Sequence, residues 1–225
     1  MNIVITGGSR GFGRAIAEKL HTEHTCILLA RASEALTEAG QAFGCPIYPC
    51  DVSRAEEVMT VTQEVERLHG PIDVLINNAG VWIEGALETN SDEAIAQAIQ
   101  TNILGVIYPT KAVIGNMKAR KQGLIINVSS QSGLKNTANR SIYQSTKWAV
   151  RGFSHSLLEE ARPFGVRVTT LYPGTADTGF FVGSTKAVDS QKSLQATDVA
   201  NTVAWLIAQP PSLVFPEVGL KNVWQ

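Results

Sequence analysis

Tyr143-Gln144-Ser145-Thr146-Lys147 puts a phenol and an ammonium four residues apart, in a stretch whose apolar spacing predicts a helix over 142–162. Residues at i and i+4 share a helix face, so the two groups stand together. A phenol ordinarily ionises at about pH 10, too high for easy proton exchange near neutrality, and a fixed cation beside it favours the phenolate. Tyr143 could then give a proton to a reacting oxygen and take it back as a general acid and base. On an unrelated helix the same pair is an ordinary surface contact, so the rest of the chain must decide. Ser129-Ser130 close the apolar run Leu124-Ile125-Ile126-Asn127-Val128. With Ser130 at a strand end, two hydroxyls from separate segments could donate to one oxygen as negative charge develops on it.

A second chemical segment opens the chain. The predicted strand over 2–6 runs into Thr6-Gly7-Gly8-Ser9-Arg10-Gly11-Phe12-Gly13 and then a helix over 11–22. Glycines permit a tight turn and close backbone approach, and the positive end of the helix can hold a pyrophosphate. An ordinary loop is the alternative.

These groups need a scaffold that brings distant segments to one edge. Short aliphatic runs near 2–6, 25–30, 46–50, 72–76, 123–128 and 165–171, with a weak one near 212–218, read as strands. Amphipathic stretches near 11–22, 32–43, 53–69, 91–119, 142–162 and 196–208 read as helices. Ser53 with Glu56 and Glu57, and Ser91 with Asp92 and Glu93, mark helix starts, and Gly70-Pro71 marks a helix end. Alternating strands and helices with right-handed crossovers give an α/β, three-layer, doubly wound Rossmann-type fold around a mostly parallel seven-stranded sheet. Its ligand crevice lies beyond the carboxyl ends of the strands. With no linker-like stretch, residues 1–225 are expected to form one domain.

Composition narrows the partners. A net charge of −1, with 44% hydrophobic and 17% charged residues and no basic field, argues against nucleic acid and anionic membrane and for a small molecule. Cys26, Cys45 and Cys50 lack paired spacing and read as reduced, buried thiols; His21, His24, His69 and His155 form no ligand-spaced cluster, so no metal is expected. The strand beginning beside Met1 leaves no room for a leader, and no apolar run approaches a membrane span, so a cytoplasmic location is expected.

The loop spacing T-G-x-x-x-G-x-G, the run Asn77-Asn78-Ala79-Gly80, and Tyr143-x-x-x-Lys147 preceded by Ser130 at thirteen residues resemble the compact, single-domain branch of the short-chain dehydrogenase/reductase family. The likeness extends to about residue 208. It implies a catalytic set of Asn102, Ser130, Tyr143 and Lys147, with Asn102 bending a helix and holding a water that links Lys147 to solvent. It also implies a dinucleotide seated on Gly7, Ser9, Arg10, Gly11, Phe12 and Gly13, with Asp51 bonding the adenine amino group and Val52 against the ring. Asn78, Ala79 and Gly80 would lie along the ribose, Lys147 would bond the nicotinamide ribose, and Pro173, Gly174 and Thr178 would fix the carboxamide, Thr175 less firmly. By the same likeness a homodimer or homotetramer forms through the helices over 91–119 and 142–162.

The residue after the second strand decides the cofactor. An NAD-selective site would carry an acid there for the ribose 2′-hydroxyl, whereas this chain has Ala30-Arg31. Arg31 with Arg10 could clamp a 2′-phosphate, which favours NADP(H) over NAD(H), unless both are solvated surface residues. The expected activity is an NADP(H)-dependent oxidoreductase reducing a small carbonyl, a ketone or aldehyde with 3-oxoacyl and hydroxy-acid types among the candidates, to an alcohol.

Two alternatives differ in class. Extended sugar-nucleotide epimerases and dehydratases share Tyr-x-x-x-Lys but carry G-x-x-G-x-x-G and a sizeable substrate domain, neither of which is here. A dinucleotide sensor without turnover would not need the complete set of four. Phe180 and Phe181, with Val81 and Trp82, either line an apolar substrate pocket or pack on helices. Residues 179–195 are expected to form a lid, from their Gly, Ser and Thr content. Ala149, Val150, Phe153, Leu157 and Leu158 make an apolar stripe facing either a second copy or the protein's own sheet. The ending Pro210–Gln225 departs from the family's frequent V-D-G-G close and resembles that of members reducing small hydroxy acids or other small carbonyls.

Overall fold

A computed structural model describes residues 1–180 and 188–225. Seven strands, β1 (Asn2–Thr6), β2 (Thr25–Ala30), β3 (Ile47–Pro49), β4 (Val74–Asn77), β5 (Gly123–Val128), β6 (Val166–Pro173) and β9 (Glu217–Leu220), form one sheet in the order β3-β2-β1-β4-β5-β6-β9. Every pairing in it is parallel. A short parallel pair, β7 (Ala176–Asp177) with β8 (Leu194–Gln195), stands apart.

Strand alternation sorts the core into two layers. Ile3 and Ile5 face helices α1 (Gly11–Leu20), α2 (Glu34–Phe43) and α7 (Ala196–Ile207), through Ile16, Leu36 and Val203. Val4 faces the other way, into the cluster built by α3 (Ala55–His69), α5 (Gly105–Arg120) and α6 (Ser141–Ala161), through Val58, Met117 and Leu157. Both faces are covered, which is why these strands read as unbroken apolar runs. Order reverses between β1 and β4, and there the carboxyl ends of the strands open onto a crevice.

Three boundaries differ from expectation. The helix over 91–119 is three pieces: α4 (Asp92–Ile99), a π-turn (Gln100–Leu104) and α5, with Pro109 inside α5. Pro109 has no N–H to give back up the helix, so the ladder is already weakened next to the π-turn. Ser91 caps α4 as expected by accepting from Ala94 N, and Gly70, at φ 85°, ends α3. Ser53, however, does not cap α3; the helix starts at Ala55 after an uncapped Arg54, and Ser53 Oγ donates instead to Asp51 Oδ1 at 2.7 Å. The last strand is Glu217–Leu220, not 212–218, because Leu213 and Val214 are exposed and Phe215 packs on Trp205 at 4.8 Å.

The stripe on α6 covers the protein's own sheet: Val150 and Leu157 are buried, and Phe153 and Leu158 pack on the same core. All three cysteines are buried and free. Of the expected lid, residues 181–187 lie outside the described residues; around them are β7, a 3-10 turn (Ser190–Lys192) and β8.

Candidate active site

The glycine loop is closed by its neighbours. A Cβ on Gly13 would sit 2.3 Å from the Gly7 carbonyl oxygen, and Gly7 itself has φ 67°, so neither position accepts a side chain without rearrangement. Thr6 and Asn78 lock this turn to the one after β4. Asn78 N and Ala79 N donate to Thr6 Oγ1 at 3.0 and 3.1 Å, and Asn78 Nδ2 donates to the Thr6 and Gly7 carbonyls at 3.0 and 3.2 Å. The fastening leaves the start of α1 facing an open cavity of about 710 Å³.

Nearly all the expected residues line that cavity. Gly7, Ser9, Arg10, Gly11 and Phe12 form its floor; Arg31, Asp51 and Val52 close one end; Asn78, Ala79 and Gly80 run along it; Ser130, Tyr143, Lys147, Pro173, Gly174 and Thr178 close the other. Gly13 and Asn102 lie behind the wall rather than on it. Burial opposes charge on Asp51, but hydrogen bonds from the Ser53 hydroxyl and N–H, with Arg31 and Arg54 nearby, keep its carboxyl below the ordinary value. Ser33, which sequence reasoning passed over, also lines the Arg31 end and caps α2 by accepting from Leu36 N at 3.3 Å. Its signal was the serine one residue before a helix start.

At the other end, Tyr143 is 4% and Lys147 5% exposed. Lys147 Nζ donates to the Val128 carbonyl at 3.2 Å and lies 5.6 Å from the centre of the Tyr143 ring. Burial pushes the Tyr143 phenol up, against hydrogen bonding with Ser130 and the charge of Arg140, which both pull it down. Burial likewise lowers Lys147 to about 8. The sequence expectation that Lys147 acidifies Tyr143 is thus corrected: desolvation prevails, and the groups favouring phenolate here are Ser130 and Arg140.

Asn102 sits in the π-turn and is 1% exposed. Its Oδ1 accepts from Val81 N at 2.8 Å, while Nδ2 donates to the Val81 carbonyl at 3.0 Å and to Thr146 Oγ1 at 3.2 Å. The side chain therefore joins the loop after β4 to α6, within one turn of Tyr143 and Lys147. A Cβ on Gly80 would lie 3.3 Å from Asn102 Oδ1 and 3.8 Å from Lys147 Nζ, so the loop passes between them. Beneath, Asn77 Nδ2 bridges Asn127 Oδ1 at 2.8 Å and Thr110 Oγ1 at 2.9 Å, and Asn127 Nδ2 donates to Ser154 Oγ at 2.8 Å. This buried polar layer ties β4 and β5 to α5 and α6. Resemblance to the N-N-A-G turn implied that it braces the sheet, but the partners Thr110, Asn127 and Ser154 were missed, because an asparagine in an apolar run looks like an interruption.

A family model described as short chain dehydrogenase matches residues 1–189. The chain belongs to the short-chain dehydrogenase family. Across 224 residues it is 30% identical to an oxidoreductase of Staphylococcus aureus (strain MRSA252), covering 98% of this chain and 96% of that one. Two solved structures superpose over its whole length. An alcohol dehydrogenase from the archaeon Thermococcus sibiricus, complexed with 5-hydroxy-NADP, is 32% identical with TM-score 0.88 and 97% of that chain covered. The closed form of a serine dehydrogenase complexed with NADP+ is 28% identical with TM-score 0.93 and 96% covered.

Proposed function

We propose that this short-chain dehydrogenase moves a hydride between NADP(H) and a small carbonyl or alcohol. The observation that carries the reading is one cavity of about 710 Å³ with Arg10 and Arg31 at the phosphate side and Ser130 and Tyr143 at the far end. Two family members of the same fold carry NADP-type molecules, which supports the same cofactor here. When bound, that cofactor supplies the hydride. The chain's residues do the rest: the start of α1 faces the pyrophosphate, Arg10 and Arg31 meet the 2′-phosphate, and Asp51 and Val52 hold the adenine. Lys147 bonds the nicotinamide ribose, and Pro173, Gly174 and Thr178 orient the carboxamide.

In reduction, Ser130 donates to the substrate oxygen and Tyr143 delivers its proton there as charge develops. A raised phenol value suits this direction, since Tyr143 stays protonated at neutral pH. Asn102 holds the loop at Val81 against α6 and so keeps the two hydroxyls in register. We further place the protein in the cytoplasm as a homodimer or homotetramer, which light scattering checks for mass.

The test is NADPH and NADH consumption with diketones, aldehydes and quinones, set against a Tyr143→Phe variant. Turnover with NADPH that the variant lacks is expected. Cofactor binding without turnover on any substrate would overturn the reading in favour of a dinucleotide sensor.

A further inference from the structure

A second, smaller cavity of about 120 Å³ shares Ser130, Tyr143 and Gly174 with the first. It therefore opens from the reacting end, on the side away from Arg31. Three cations line it: Lys135, Arg140 and Lys221, with Ser132, Thr137 and Gln131 as hydrogen-bonding neighbours and no Asp or Glu among its described lining. None of the ion pairs among the described residues involves any of the three. In a chain of net charge −1, three cations with no carboxylate paired to them among the described residues are a specific arrangement rather than a general one.

The walls are fastened from four separate segments. Arg140 stacks on Trp82 at 5.3 Å from its ring centre, and Trp82 in turn lies 4.5 Å from the Tyr143 ring. The Asn139 carbonyl accepts from Gly85 N at 2.8 Å, binding the loop before α6 to the loop after β4. Gln144 Nε2 donates to the Lys135 carbonyl at 2.9 Å, and Gly174 N donates to the Leu220 carbonyl at 2.8 Å, which sets Lys221 beside the turn after β6. The charge of Arg140 reaches the phenol of Tyr143 and favours its ionised form. A fixed guanidinium and two flexible ammonium groups around a small space suit one compact anion. At roughly 30 Å³ per water-sized group, the space takes about four such groups, enough for a carboxylate and a short carbon stem.

We propose that this basic vestibule receives the substrate's carboxylate, so that the oxygen held by Ser130 and Tyr143 belongs to a small oxo acid. The inference rests on the carbonyl-reductase reading above and narrows it. The step balances as follows: hydride and its electron pair add to the carbonyl carbon, the π pair moves to oxygen, and that oxygen takes the Tyr143 proton, which solvent replaces. An oxo acid and NADPH become a hydroxy acid and NADP+, with the carboxylate unchanged.

The experiment compares kcat/KM for 3-oxobutanoate and 2-oxobutanoate with that for their methyl esters, in the wild type, Lys135→Met, Lys221→Met and Arg140→Met. Loss of a charge-assisted contact predicts that the acid-to-ester ratio falls about tenfold in each variant, chiefly through KM for the acid. A wild-type ratio near one, or a ratio the variants leave unchanged, overturns the proposal. Should no compound consume NADPH, the reductase reading fails on its own account. Tryptophan fluorescence of the NADP+-loaded protein titrated with 3-oxobutanoate then decides: quenching that Lys135→Met/Lys221→Met abolishes upholds the anion site, and no response overturns it.

Discussion

Lys147 Nζ lies 5.6 Å from the centre of the Tyr143 ring, over its face, while its hydrogen bond goes to the Val128 carbonyl. Burial of both groups accounts for a tyrosine that holds its proton, against Ser130 and Arg140, and a lysine that gives its proton up early.

That pairing makes stability depend on pH in a defined window. Folded Lys147 releases its proton at about 8, whereas the unfolded chain keeps it to 10.5. Between those values the unfolded state binds more protons, so this group makes stability rise with pH. Thermal melts of the cofactor-free protein from pH 8 to 10.5 check it: Lys147→Met should lose that upward contribution.

Removing the phenol oxygen removes the proton donor and little else. Tyr143→Phe is expected to cut turnover by about 10²–10⁴-fold, the usual worth of positioned acid–base catalysis. NADPH binding, followed by fluorescence titration, should change little.

Cofactor choice turns on the two arginines at the phosphate side. Arg31→Ala should weaken NADPH binding by about ten- to a hundredfold, the worth of a charge-assisted hydrogen bond, and leave NADH binding nearly unchanged. Equal losses for both dinucleotides would remove Arg31 from the 2′-phosphate.

Gly13→Ala tests the loop itself. With a Cβ 2.3 Å from the Gly7 carbonyl oxygen, the backbone must part, at a cost of about 1–3 kcal/mol by analogy with overpacked cores. Lower melting temperature together with weaker NADPH binding is expected; a loss of stability alone would separate the loop from the cofactor.

Much of this was legible before any coordinates, for physical reasons. Parallel strands buried on both faces must be apolar throughout, so Ile3-Val4-Ile5 and Leu124-Ile125-Ile126 stood out, and the glycine loop followed the first of them. The resemblance implied a bend at Asn102, but the extent of the interruption, Gln100–Leu104, was not legible, because Ile99, Ile103, Val106 and Ile107 keep the stretch apolar across it. Val214 and Phe215 suggested a strand by composition, yet Phe215 serves Trp205 and the sheet takes up the chain only after Pro216, whose carbonyl accepts from Thr170 N at 2.9 Å. Lys135 and Arg140 share the loop before α6 while Lys221 lies some eighty residues on, and only the packing of Trp82 and the turn after β6 brings them round one space.

The π-turn has the bearing of a spacer. Because it carries one residue more than a regular helix would, shortening the chain by a single position between Gln100 and Leu104 would let α4 and α5 merge into one rod. Every side chain on the shortened side would swing about 100° round the axis. Asn102 would leave Val81, and the loop that walls the cavity would lose its tether while both helices remained intact.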